Sequence, residues 1–286
     1  MKLKIFVVLV AAALAWMVGR GGVRVSTRAE HGATPANARE ALAAAADDGE
    51  GRDEIRQTYK LAAGARVEVR GINGPVRVEA VDSDSAEVHV VRRARDRADL
   101  ERHKIIIENT PDEGLVVRGE KIDGPEWWKL WSGGEVRTEV TMKVPRRAEV
   151  KAKGINGSVS LGEFDGAVRV SGVNGRVEIG RSVGTAEVSG VNGGVTLGVA
   201  RLTGDGLTVK GVNGGVKIRV ADNLNADLEV KGMNGSIDVN VPNVKEEERG
   251  RSSLRARIGS GGPMITVKGV NGGLRLEPAT SAGGDR

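Results

Sequence analysis

The tetrad Gly-x-Asn-Gly occurs seven times in this chain, with its Asn at Asn73, Asn156, Asn174, Asn192, Asn213, Asn234 and Asn271. The middle five are separated by 18, 18, 21 and 21 residues, a period that marks a repeat architecture before any other reading is attempted. Aligned on the Asn, four columns are aliphatic in every copy, as Val168, Val170, Val177 and Ile179 are around Asn174. They stand six and four residues before the Asn and three and five after it, and polar residues such as Arg169, Ser171 and Glu178 fill the gaps. Alternation with a period of two means strands with one buried face.

Asn and Gly accept positive φ at lower cost than other residues, so the seven Asn-Gly pairs read as structural turns. Each repeat is then a strand, a tight turn and a second strand. One such unit buries too little apolar surface to offset the entropy of ordering its backbone, so neighbouring units must stack. Two stackings fit. In a β-solenoid, or β-helix, of 18–21-residue rungs, the turns are corners and equivalent residues line up between rungs. In an antiparallel hairpin meander, each tetrad closes a hairpin and Val170 faces Ile179. The near-uniform period favours the all-β solenoid.

Composition agrees with a narrow aliphatic core: among 286 residues there are 42 Gly, and only two Phe and one Tyr. There is no Cys, which excludes disulfides, thiolate metal sites, a Cys nucleophile and a lipid-anchored Cys. The formal charge is +5, of which Lys2, Lys4 and Arg20 at the N-terminus carry three, leaving 5 − 3 = +2 elsewhere. A nucleic-acid partner is not expected, because no dense basic patch is interleaved with stacking aromatics.

Lys2 and Lys4 precede an uncharged, mostly apolar run from Ile5 to Val18. This has the form of a secretory signal and is short for a membrane span, although an uncleaved anchor would look similar. Either way the rest of the chain is expected outside the cytoplasm, periplasmic or at the cell surface. Residues 1–20 are thus read as signal peptide or N-terminal anchor, 21–60 as a flexible tether, and 61–145 as a less regular N-terminal β cap. Residues 146–278 are read as the β-repeat region and 279–286 as a disordered tail.

Iterated Gly-Val-Asn-Gly followed by Val-x-Ile/Leu, opened by Gly71-Ile72-Asn73-Gly74-Pro75-Val76-Arg77-Val78, resembles the bacterial putative-adhesin β-repeat family of unknown function. That family is related to adhesin head domains named for a Gly-Ile-Asn motif. The resemblance covers residues 66–278. It implies a β-helical fold and a cell-envelope location, and some relatives are linked to envelope-stress responses. It supplies no catalytic residues.

The sequence offers little chemistry of its own. His31, His89 and His103 have no metal-ligand spacing, and no nucleophile elbow, P-loop or dinucleotide fingerprint is present. No cofactor is expected. Glycoside hydrolysis needs two converging carboxylates, whereas Glu178, Glu187, Glu229 and Asp238 are dispersed among Lys and Arg. Three residues before each Asn stand Arg70, Lys153, Ser171, Ser189, Lys210, Lys231 and Lys268, five of the seven basic at one equivalent position. Stacked rungs would bring them within a strand spacing of about 4.8 Å. Such a column is either an anion-binding stripe or a solubilising face neutralised by acids such as Glu187 and Glu229. Trp127, Trp128 and Trp131 form an aromatic patch outside the repeat, suited to a ligand, a membrane surface or a plug over the core.

The expectation is a non-catalytic, exported cell-envelope protein with an adhesin-like binding or scaffolding role. Its partners would be envelope glycans, lipids or envelope proteins, with membrane association through the N-terminal segment. The alternative is an envelope-stress accessory that senses or sequesters cationic peptides or lipids at the membrane. A polysaccharide-active β-helix enzyme is the remote third.

Overall fold

The computed structural model describes residues 51–62, 64–111, 113–121 and 135–279. The N-terminal apolar run, the Trp patch and the C-terminal tail beyond Ala279 lie outside them. Residues 48–286 form one unit, whose described residues are mostly strand.

The chain enters through β1 (Gly51–Lys60), β2 (Arg66–Asn73), β3 (Val76–Val81) and β4 (Ser85–Ala94). A short helix α1 (Arg97–Arg102), capped by the Asp96 side chain on the Asp99 amide, leads to β5 (His103–Thr110), β6 (Gly114–Lys121) and β7 (Arg137–Pro145). The regular repeats then follow. They run as β8 (Glu149–Asn156) and β9 (Val159–Phe164), β10 (Val168–Val173) and β11 (Val177–Val183), and β12 (Ala186–Asn192) and β13 (Val195–Arg201). Next come β14 (Leu207–Asn213) and β15 (Val216–Val220), then β16 (Ala226–Met233) and β17 (Ile237–Val239). An inserted hairpin, β18 (Val244–Arg249) and β19 (Leu254–Ile258), precedes the last pair, β20 (Met264–Asn271) and β21 (Leu274–Pro278).

These strands make two mixed sheets, of 10 and 11 strands. The strand before each Asn lies in the 11-stranded sheet and the strand after it in the 10-stranded sheet. The two strands flanking a tetrad therefore do not pair with each other. Each pairs in parallel with the equivalent strand of a neighbouring repeat, Val170 with Val188 and Ile179 with Leu197. The tetrads are corners between the sheets, not hairpin turns. One continuous aliphatic core runs between the sheets, with the predicted columns almost completely buried.

The corner differs from the expected turn in one respect. None of the seven Asn takes positive φ; the first Gly of each tetrad does, from Gly211 at 60° to Gly71 and Gly232 at 66°. That left-handed residue shifts the strand's alternation by one place. The residue after it therefore points inward, giving a fifth buried column: Ile72, Ile155, Val173, Val191, Val212, Met233 and Val270. The second Gly is required by close approach. A Cβ on Gly175 would lie 2.3 Å from the carbonyl oxygen of Gly157 in the next rung.

The N-terminal portion is not a separate cap. Strand β6 pairs in parallel with β2, Leu115 opposite Val67 and Arg118 opposite Arg70, and β7 pairs in parallel with β3, Val140 opposite Val76. Together they make an eighth rung, with no Gly-x-Asn-Gly tetrad in the sequence between its two strands. Nor does the tether reach residue 60: Gly51–Lys60 is strand β1, antiparallel to β4, with Ile55 and Tyr59 packed on the core. Its polar alternate positions face outward, which is how an edge strand reads when only one side is covered.

Spatial order departs from chain order at both ends. In the 11-stranded sheet the rung strands run β6, β2, β8, β10, β12, β14, β20, β16. The last repeat is thus inserted between the fifth and the sixth.

Candidate binding surface

Two lines of equivalent side chains follow from this stacking. The first is an amide ladder along the corners. Each Asn donates through Nδ2 to the Oδ1 of its neighbour: Asn156 to Asn73 at 2.9 Å, then Asn174, Asn192, Asn213 and Asn271 in turn at 3.0 Å, and Asn234 to Asn271 at 2.9 Å. The free donor of Asn73 reaches Glu135 Oε1 and the carbonyl of Val136, both at 3.0 Å. The amide dipoles point the same way, and the donor end is capped by a carboxylate. Holding the corners in register, and not bending the backbone, is what Asn does here.

The second line is the basic column, on the outer face of the 11-stranded sheet. The register places Arg118 beside Arg70, Arg70 beside Lys153, and Lys153 beside Ser171. Ser171 stands beside Ser189, Ser189 beside Lys210, Lys210 beside Lys268, and Lys268 beside Lys231. All five predicted basic residues are brought into one file. Arg118 is a sixth that the sequence reading missed. Its signal was Leu115-x-Val117-Arg118-Gly119, which matches the first half of the repeat without the Asn.

The acids are in the adjacent outward column, two residues earlier on each strand, and they neutralise the file unevenly. At one end Glu229 takes Lys231 at 2.6 Å, Lys268 at 3.2 Å and Arg255 at 3.4 Å. Hydrogen bonds from Lys231 and then Lys268 hold its carboxyl at about 2, against an ordinary value near 4.5. Lys210 lies 3.9 Å from Glu187, at the limit of an ion pair. At the other end Glu68, whose side chain is only 11% exposed, takes Lys151 at 3.2 Å and Arg70 at 3.6 Å. Arg118 meets Glu120 at 3.2 Å. Lys153 and Arg169, exposed on neighbouring strands, have no carboxylate within ion-pair distance among the described residues.

The remaining candidates contribute less. His89 contacts Glu54 at 2.9 Å, and His103 Nδ1 lies 3.1 Å from the Asp99 carbonyl. Among the described residues no cluster of three His, Cys, Asp or Glu could hold a metal ion, and no helix is long and apolar enough to cross a membrane. Two clefts lie near the N-terminal end. One, of about 560 Å³, is lined by Leu61, Arg66, Asn109 and Glu149; the other, of about 340 Å³, by Asp82, Asp84, Asp165 and Arg146. In the second, Arg146 is tied to Asp82 at 3.3 Å and, outside the cleft lining, to Glu163 at 3.5 Å.

No family model matches the chain, and no curated protein does. The fold is similar to several solved structures. One is described as a "putative cell adhesion protein" from Clostridium sporogenes, at 10% identity over 79% of this chain and 100% of that one, with a TM-score of 0.41. Another is a "putative adhesin" from Bacteroides fragilis, at 11% identity over 78% and 97% of the two chains, TM-score 0.31. A third, a "putative lipid binding protein" from Parabacteroides distasonis, matches at 11% identity over 78% and 96%, TM-score 0.24. At these scores the likeness assigns no role to any residue of this chain.

Proposed function

We propose that this chain is a non-catalytic, exported binding scaffold of the cell envelope, with an adhesin-like role. The observation that carries the reading is the stack itself. Eight rungs present the same outward positions in register on one continuous hydrogen-bonded face, an arrangement suited to an extended partner. Catalysis would need a nucleophile beside a base, or two carboxylates converging on one groove. On the 11-stranded face Glu68 and Glu229 are each engaged by more than one Lys or Arg. The export signal read from Lys2 to Val18 supplies the location. The alternative role in capturing cationic peptides is disfavoured on this face, because the file of Lys and Arg would repel them.

The test exposes the full chain to a panel of purified envelope polymers and anionic vesicles, measuring both retention and the release of polymer fragments. Saturable retention with intact polymer is expected. Appearance of new chain ends on any polymer would replace the scaffold with an enzyme.

A further inference from the structure

We propose that the outward file on the 11-stranded sheet is a binding track for a linear polyanion, a polymer carrying an anionic group on every repeat. Its strongest contacts are Lys153 in the file and Arg169 in the column beside it. This deepens the scaffold reading and rests on it.

Three features point to a linear ligand. The file is one residue wide and eight strands long, and at about 4.8 Å per strand it spans roughly 34 Å. No position in it is acidic: the order is Arg118, Arg70, Lys153, Ser171, Ser189, Lys210, Lys268, Lys231. The columns beside it are mixed, with Glu68, Glu187 and Glu229 two residues away on the same face. A membrane is two-dimensional and would press its anionic headgroups onto those carboxylates as well. Membrane docking also gains from exposed large apolar side chains, and Met264 alone among the described residues provides one. A single extended chain laid along the stack axis meets the cations and avoids the acids.

The uneven neutralisation locates the strongest contacts. Lys231 and Lys268 share Glu229, so a ligand must compete with an existing ion pair there. Lys151 and Arg70 share Glu68. Among the described residues Lys153 and Arg169 make no ion pair; they stand on the adjacent strands β8 and β10, and Glu187, beside Arg169 in the register, lies against Lys210 instead. Ser171 and Ser189 lie next in the file, short side chains that keep the track low between Lys153 and Lys210 while offering hydroxyl donors. An anionic group over Ser171 would sit between Lys153 and Arg169 without displacing any carboxylate.

Two sources share this chemistry, acidic polysaccharides and polymers linked through phosphate. The experiment measures binding of the full chain to polygalacturonate, inorganic polyphosphate, free galacturonate, orthophosphate and phosphatidylglycerol vesicles across a salt series. Polymer binding should be far tighter than monomer binding and weaken steeply with salt, and the two polymers together show which anion is preferred. The double variant K153S/R169S should bind about tenfold more weakly and lower the salt slope by about two, one for each lost contact. R77S/R275S removes two exposed cations from the other sheet and controls for net charge. It should change affinity less than about twofold, since it touches no contact in the track.

Equal losses in the two variants, or equal affinity for monomer and polymer, overturn the track. Vesicle binding without polymer binding also overturns it while leaving the non-catalytic scaffold intact. Cleavage of either polymer removes the scaffold reading beneath it.

Discussion

In the middle of the stack, from β8 to β15, the chain climbs one rung at a time and space follows sequence. At both ends it does not. The first rung built, β2–β3, lies second, with β6–β7 added later outside it. The last rung built, β20–β21, lies second from the other end, held between β14 and β16 in one sheet and between β15 and β17 in the other. A stack of parallel rungs leaves two raw edges on each sheet, and such edges template association. The ends manage this with antiparallel strands: β1 on β4, β5 on β6, and the hairpin β18–β19 on β16. The fourth edge is left with β17, only three residues long. Placing the terminal strands one rung inward also keeps the final strands from being an edge, where fraying begins. The middle thus maximises identical packing, and the ends trade regularity for protection.

That contrast can be broken most forcefully in the core. Ile218 of β15 is fully buried and its strand is paired on both sides. Ile237 of β17 is partly buried on an edge. Ile218→Ala should cost about 2–5 kcal/mol, because the cavity has rigid walls on every side. Ile237→Ala should cost about 1 kcal/mol, where an edge strand can settle into the space. Chemical denaturation of the two variants checks this. Equal costs would mean that the middle and the end are equally packed.

The amide ladder offers a smaller version of the same comparison. Asn174 both donates to Asn156 and accepts from Asn192, whereas Asn234 only donates, to Asn271. At about 1 kcal/mol per net hydrogen bond, Asn174→Ala should cost roughly twice as much as Asn234→Ala. Thermal unfolding of both variants decides it. Identical shifts would show that the ladder does not act as a connected series.

The sequence made the middle legible and hid the ends, for physical reasons. Four columns could be read because period-two alternation is strict on either side of each corner. The fifth column, Ile72 to Val270, was not recognised because Gly at positive φ breaks that alternation. The order of rungs was unreadable. Val209 could pair as well with Val230 as with Val267, and nothing local chooses Val267. The eighth rung was missed because no Gly-x-Asn-Gly tetrad stands between Lys121 and Arg137, which removes the Asn that marks the others. The basic column was named without Arg118, and the place of Lys268 between Lys210 and Lys231 follows only from the pairing. Which of its members lack a carboxylate became visible only with the register, since Glu68 reaches Lys151 across 83 residues of chain.

The two halves of the basic file also differ in what acid should do to them. Glu229 is held at about 2 by its hydrogen bonds with Lys231 and Lys268, below the ordinary value near 4.5. A carboxyl with a lowered folded-state pKa contributes stability that is fully present above its unfolded value. The contribution is then lost as pH falls from about 4.5 towards 2. Neutralising Glu229 leaves Lys231 and Lys268 without their shared carboxylate, and Arg255 with Glu248 alone. The C-terminal end should therefore loosen first on acidification, with amides of β16, β19 and β20 exchanging faster at pH 2.5 than at pH 5. Those of β10 and β12 should change least. Glu229→Gln should exchange at pH 5 nearly as the native protein does at pH 2.5, and should respond little to further acid. If hydrogen exchange instead accelerates evenly along the stack, Glu229 is an ordinary surface acid, and the two ends of the file do not differ in how tightly their cations are held.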